Sequence, residues 1–302
     1  MVRQDVLMQR TLASEVKASG IGLHGGRPVH MTLKPAAEDT GVVFRRTDLH
    51  DKPELKASAD IVRDTNLCTG LCDDVRKLQV YTVEHLMSAL FGLGIDNVIV
   101  ELSADEVPIF DGSSAPFVFL IESAGILSQS KPKKVIKVLR PVDLRDGEKW
   151  AKIKPDDTFS MHLEVDYNHP VIPSQTKRFD INADFYRSSI ARARTFCFQS
   201  DVEKMQQHGL ALGGGLDNAI VVGDFSVLNP SGLRYKDEFL RHKALDCIGD
   251  FYMCGYAIIG AFSAYMPGHG MNNKLLRKLL ENKNSWRFVE LPADADIFDL
   301  SP

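Results

Sequence analysis

His242, Asp246 and Asp250 recur at intervals of four residues, the spacing that stacks side chains on one face of a helix. A His and an Asp one turn apart can both reach a single zinc ion at about 2.0 to 2.2 Å, so the stripe reads as part of a metal site. It also reads as a solvated face, because polar rows are ordinary on helices. Glu84-His85 would add a third ligand, completing a two-His, one-carboxylate set with an open position. The adjacent glutamate could then act as general base on a water whose pKa zinc lowers. A lone Glu-His pair is commonly incidental, and this one takes its meaning from the stripe. His269, between Gly268 and Gly270 after Pro267, is expected in a close turn that presents its imidazole to a cleft. Asp250, two turns beyond His242, is placed to hydrogen-bond that imidazole and hold it protonated, as an acid for an amine leaving group. His24, His30, His50, His162, His169 and His208 have no helical partner at ligand spacing and are read as structural.

These groups need two helices to hold them. Thr82 is placed to cap the first, whose apolar residues Val83, Leu86, Met87 and Leu90 keep helical spacing until Gly92 and Gly94 end it. An apolar strand over 97–102 follows. Phe239, Leu240, Ala244, Cys247, Ile248 and Phe251 mark a second helix, again followed by an apolar strand, over 256–262. Setting His85 against His242 aligns helix with helix and strand with strand. A glycine-containing turn ends each run, at Asp111-Gly112 and at Gly268-His269-Gly270, which points to a duplicated α+β unit. Alternation over 29–34 predicts sheets with one covered face. The polar, proline-broken segment 128–134 predicts a boundary between two domains. Residues 1–130 would then supply Glu84 and His85, and residues 131–302 would supply His242, Asp246 and His269. Gly213-Gly214-Gly215 lacks the Gly-Lys-Ser/Thr ending of a phosphate loop and reads as a turn.

At 302 residues and 44% hydrophobic content the chain is long enough for two cores, and a net charge of −4 argues against a chain-wide nucleic-acid surface. Arg3, Asp5 and Arg10 leave no room for the apolar core of a secretory signal. The cysteines, Cys68, Cys72, Cys197, Cys247 and Cys254, fit reduced thiols better than a disulfide framework, so a cytoplasmic protein is expected. Cys68 and Cys72 have no second pair to complete a metal knuckle. The uncharged run 251–266 falls short of the about 20 residues a spanning helix needs. It contains Gly255 and Gly260 and reads as a helix end followed by a buried strand.

Six motifs occur in order along the chain: Gly20-Ile21-Gly22-Leu23-His24, Thr82-Val83-Glu84-His85-Leu86, Val107-Pro108-Ile109-Phe110-Asp111-Gly112-Ser113, Ala193-Arg194-Thr195-Phe196, Asp237-Glu238-Phe239-Leu240-Arg241-His242-Lys243-Ala244-Leu245-Asp246, and Gly268-His269. Together they resemble the UDP-3-O-acyl-N-acetylglucosamine deacetylases, zinc enzymes of the committed step of lipid A synthesis in Gram-negative bacteria. The resemblance spans nearly the whole chain. It implies an α+β fold of two similar domains, each layering β-sheet against α-helices with a small insert, and an active site between them. It assigns Zn2+ to His85, His242 and Asp246, the base to Glu84, and protonation of the departing amine to His269 supported by Asp250. This agrees with the spacing. It further implies that Thr195 stabilises the oxyanion, that Lys243 meets the diphosphate of the UDP-3-O-acyl-N-acetylglucosamine substrate, and that Tyr167 lies under the uracil ring. The second insert, about residues 195–222, is implied to form an apolar passage for the acyl chain. Phe196, Ile220 and Val222 would line it, with Leu67 and Cys68 approaching from the first insert. A monomer is expected, with no nucleic-acid partner, no membrane span and at most transient contact with the inner-membrane surface.

Three positions depart from the family pattern. Cys197 stands where glycine is usual, which predicts a narrower or shifted passage mouth. Met266-Pro267 replaces a common Lys-Ser and removes a cation near the UDP site. Asn66 replaces an expected methionine and would make the passage locally more polar. Other readings stay open at this point: a zinc hydrolase of a different amide, a metal-binding scaffold with a closed four-ligand shell, and an α+β nucleic-acid or phosphate-binding module, against which the acidic balance counts.

Overall fold

A computed structural model of the chain describes residues 6–293; Arg3 and Asp5 lie outside them. Its α-helices are α1 (Glu84–Gly92), α2 (Ala115–Ala124), the single turn α3 (Ala183–Phe185), α4 (Gln199–Gln207), α5 (Glu238–Tyr252) and α6 (His269–Glu281). The fold is α+β and is built on two sheets. A five-stranded sheet has the order Val16–Ile21, Pro28–Pro35, Val98–Leu102, Val42–Arg46, Glu54–Lys56. A seven-stranded sheet runs Val142–Asp146, Lys149–Lys154, Ile258–Tyr265, Lys134–Val138, Trp286–Glu290, with Phe159–Val165 also on Ile258–Tyr265 and Gln175–Asp180 outside it. The first draws only on residues before Ser103 and the second only on residues after Lys133.

Local pattern explains these elements. Strand Pro28–Pro35 buries Val29, Met31 and Leu33 on one face, the period of two expected for a half-covered strand. Every residue of α1 is buried, as a helix apolar on nearly all sides requires; it packs on α2 and against α5. The repeat seen in the sequence is matched by the order of the elements. Helix, strand and helix succeed one another as α1, Val98–Leu102 and α2, and again as α5, Ile258–Tyr265 and α6, and each strand is an inner strand of its sheet. One apolar cluster runs from Leu12 and Phe44 through Leu86 and Leu90 to Ile248, Phe262 and Leu276.

One expectation is corrected. Thr82 does not cap α1: its backbone is left-handed at φ 57° and its hydroxyl donates to Glu106 Oε1 at 2.9 Å, so Val83 takes the N-cap position without a side-chain bond. Segment 128–134, where the sequence places the domain boundary, is strand for most of its length. It lies in strands Ile126–Pro132, paired with Met8–Leu12, and Lys134–Val138. Its polar side chains are occupied: Asn97 donates to Gln129 Oε1 at 2.7 Å, Ser130 donates to Glu38, and buried Lys133 pairs with Asp96 at 2.8 Å.

Smaller sheets form the inserts. Val62–Asp64, Gly70–Asp73 and Leu78–Val80 make one; Phe196–Phe198 and Ile220–Val222 pair in parallel beside α4 to make the other. No helix among the described residues is long and apolar enough to cross a membrane, and run 251–266 holds the end of α5 and the strand Ile258–Tyr265, as expected. The five cysteines are free thiols.

Candidate active site

The site forms where α1 and α5 touch. Gly249 makes the approach possible: a Cβ there would lie 2.0 Å from the Glu84 carbonyl oxygen. With the helices this close, the α5 stripe faces α1 instead of solvent, and His242, Asp246 and Asp250 are all buried. The solvated-face reading is thereby set aside. Gly249→Ala is expected to force the helices apart and to destabilise the protein by about 1–3 kcal/mol or more, the usual range for overpacking. Thermal unfolding checks this, and an unchanged melting temperature would show that the contact can relax without loss.

His85 on α1 and His242 and Asp246 on α5 converge, with one donor atom from each lying within 4.8 Å of the others. His242 Nε2 is 3.2 Å from Asp246 Oδ1, and His85 Nε2 is 3.7 Å from the same oxygen. His242 Nδ1–H donates to the Ala193 carbonyl at 3.0 Å, which leaves Nε2 as the lone-pair nitrogen. Burial pushes the His85 imidazole down to about 3, with His242 adding to the effect, and burial also lowers His242. Both rings are therefore neutral at ordinary pH and able to act as ligands. Burial would raise the Asp246 carboxyl, but His242 and Lys243 outweigh it and hold it well below the carboxylate range. Asp246 Oδ1 nevertheless accepts no hydrogen bond. A buried anionic oxygen without a donor, facing two imidazole nitrogens, fits a cation coordinated by all three.

Glu84 and His269 face each other beside this group. Glu84 Oε1 lies 3.9 Å from His269 Nε2. Burial raises the Glu84 carboxyl to about 7 despite the opposing charge of His269. Burial alone would lower His269, but the charge and hydrogen bond of Asp250, helped by Glu84, raise it to about 9. His269 Nδ1–H donates to Asp250 Oδ2 at 2.9 Å. The expected glycine turn takes another form: His269 is the first residue of α6, Gly268 is extended, and the left-handed position falls on Met266 at φ 51°.

The other predicted residues separate. Thr195 is held by main-chain bonds, its N–H donating to Gly112 and its carbonyl accepting from Ile220, two residues after the Ala193 that orients His242. Lys243 Nζ is bound to Asp246 Oδ2 at 2.8 Å and lies 5.6 Å from the centre of the Phe196 ring. Tyr167 packs edge-on against Phe196 and Phe198.

A cavity of about 790 Å³ opens beside Thr195, between the inserts, with Leu67, Phe196, Phe198, Met205 and Val221 among its walls. Phe196 and Leu67 line it as expected. Cys68 does not; it is buried beside Glu84. Ile220 and Val222 also turn inward, onto Phe239 in a small separate core, while Ala219 and Val221 take the cavity face. The cause is the period-two alternation of the strand. Cys197 lines the cavity, whereas Asn66 is exposed and does not. Gly213-Gly214-Gly215 joins two turns, with Gly214 N–H donating to the Ala211 carbonyl and Asn218 N–H to the Gly215 carbonyl, and a Cβ on Gly213 would sit 2.2 Å from Gly22 O.

Sequence reasoning passed over three residues near the site. His24, read as structural, lines the cavity with a buried Nε2 that has no partner. Asn272, one helical turn after His269, donates to Asp250 Oδ2 at 2.8 Å; its spacing was the available signal. Thr69 bonds both Glu84 and Asp250, and nothing in its sequence context announces this.

Comparison with known proteins gives consistent matches. Residues 9–281 match the sequence model of the UDP-3-O-acyl N-acetylglycosamine deacetylase family. The chain is 50% identical over 294 residues to the UDP-3-O-acyl-N-acetylglucosamine deacetylase of Histophilus somni, covering 97% of this chain and 96% of that protein. It is 52% identical over 286 residues to the like-named proteins of Xanthomonas oryzae pv. oryzae (94% of each chain) and Actinobacillus succinogenes (94% and 93%).

Proposed function

Because the chain belongs to the UDP-3-O-acyl N-acetylglycosamine deacetylase family, we propose that it hydrolyses the acetamide of UDP-3-O-acyl-N-acetylglucosamine to acetate and the free amine, the committed step of lipid A synthesis. The observation that carries the reading is the buried set of His85, His242 and Asp246 with Glu84 and His269 facing each other across 3.9 Å beside it. His85, His242 and Asp246 would hold a zinc ion, which would supply Lewis-acid polarisation of the acetamide carbonyl and a lowered pKa for the attacking water. Glu84 takes the proton of that water. His269 gives the Nε2 proton to the departing nitrogen, with Asp250 on Nδ1 keeping the ring cationic. Thr195 donates to the oxyanion, where a preplaced donor counts most. Lys243 keeps one donor on Asp246 and offers its others to the diphosphate. Tyr167, against Phe196, supports the uracil end, and the cavity beyond Leu67 and Phe196 takes the acyl chain.

A structural metal reading needs a fourth protein ligand, and three converge among the described residues. The same reading of the chain divides it near residue 130 into two domains, places it in the cytoplasm, and treats it as a monomer whose contact with the inner-membrane surface is transient.

The test is acetate release from UDP-3-O-acyl-N-acetylglucosamine by purified protein, as isolated, chelated and zinc-restored. Glu84→Ala and His242→Ala serve as controls. Zinc-restorable turnover lost in both variants supports the reading; no turnover by folded, zinc-loaded protein across several acyl lengths overturns it.

A pH profile probes the acid. His269 with a pKa of about 9 is protonated, and able to donate, below that pH, so kcat/KM falls as pH rises through it. In Asp250→Asn the anion that outweighs burial is gone. The alkaline limb should then move down to or below the ordinary histidine value of about 6.5. A limb unmoved by the substitution would remove His269 from the acid role.

A further inference from the structure

We infer that Thr69 is a positioning residue that fixes the acid and the base of the site relative to each other; the inference rests on the deacetylase reading above. Thr69 is buried at the edge of the first insert, directly before strand Gly70–Asp73. Its main-chain N–H donates to Glu84 Oε2 at 2.9 Å, and its hydroxyl donates to Asp250 Oδ1 at 2.6 Å. Its carbonyl accepts from Val83 N–H at 3.3 Å, which ties it to the start of α1. The next residue is equally fixed, since a Cβ on Gly70 would lie 2.7 Å from the Tyr81 ring.

One residue therefore bridges the carboxylate on α1 that accepts a proton and the carboxylate on α5 that holds the proton donor. Asp250 divides its two oxygens. Oδ2 accepts from His269 Nδ1 and Asn272 Nδ2, both on α6, while Oδ1 accepts from the Thr69 hydroxyl. Without that hydroxyl, only α6 orients the carboxylate, and it can turn about its Cβ–Cγ bond and carry the His269 ring with it. Partners at this remove from the reacting atoms typically change activity by about 10- to 100-fold.

The substitutions that separate this role from packing are Thr69→Val, which keeps the shape, and Thr69→Ser, which keeps the hydroxyl. Neither touches the main-chain bond to Glu84. With zinc-loaded protein and acetate release as the assay, Thr69→Val is expected to lower kcat roughly 10- to 100-fold with KM and zinc content unchanged, and Thr69→Ser to restore most of it. In an Asp250→Asn background Thr69→Val should add little, because the hydroxyl acts through Asp250. The NMR resonance of the His269 Nδ1 proton gives a readout without substrate; it should shift in Thr69→Val and hold in Thr69→Ser. Equal losses in the two variants, full additivity with Asp250→Asn, or an unmoved resonance in Thr69→Val overturns the inference. Failure of the wild type to release acetate overturns the deacetylase reading instead, and the resonance then decides the positioning role alone.

Discussion

Glu84→Gln is expected to lower kcat by roughly 10²- to 10⁴-fold, the usual contribution of a positioned general base, with metal content and KM near those of the wild type. Glutamine keeps the length of the side chain and an oxygen able to accept the Thr69 N–H bond of 2.9 Å, so the geometry of the α1–α5 contact should survive. What it loses is proton affinity. The burial that raises the Glu84 carboxyl to about 7 makes it a better base than an exposed glutamate, and an amide cannot replace that function at any pH. Alanine would be a weaker test, because it also leaves the Thr69 N–H buried without an acceptor, at a cost of about 1–3 kcal/mol. Steady-state kinetics at saturating zinc decide the matter. A variant that retains most of its kcat would assign both proton transfers to His269, whose Nε2 lies 3.9 Å away.

The parts of this site that could be read in the sequence are those written as spacing. His242, Asp246 and Asp250 announce one helix face, and beside it Glu84-His85 offers a candidate third ligand and a candidate base. Whether that face meets water or another helix is not encoded in the row itself, since both environments produce a period of four. Gly249 carried the missing information: a glycine inside a helix costs about 1 kcal/mol against alanine, and here it is the point of contact with the Glu84 backbone. Main-chain donors leave no signature at all, which is why Thr69 stayed invisible. Thr82 was misread because its partner, Glu106, lies 24 residues away, and cap chemistry is judged from neighbours. Segment 128–134 carries the lysines and proline from which the domain boundary is expected, and strands at a sheet margin carry the same residues. In the second insert the family resemblance put Ile220 and Val222 on the cavity, and the strand register places Ala219 and Val221 there instead.

Chelation is expected to abolish turnover while leaving a folded protein of lower melting temperature, with zinc restoring both. The two effects have one cause. Asp246 Oδ1 is buried, charged and without a hydrogen-bond donor, and both imidazole nitrogens that approach it belong to rings that burial keeps neutral. Lys243 satisfies the other carboxylate oxygen at 2.8 Å, so the metal-free site still holds one ion pair and has no reason to unfold the chain. A cation bound only by the native site stabilises it by mass action, about 2.7 kcal/mol when its free concentration is 100 times the Kd. His242→Ala should separate restoration from refolding. It removes a ligand and frees the Ala193 carbonyl, a loss of about 1–3 kcal/mol, yet it leaves the Asp246–Lys243 pair intact, so the variant should fold and should bind and respond to zinc far less than the wild type. Turnover that survives chelation would count against a metal-dependent reaction, and a His242→Ala protein whose activity zinc restores in full would place the cation somewhere other than between α1 and α5.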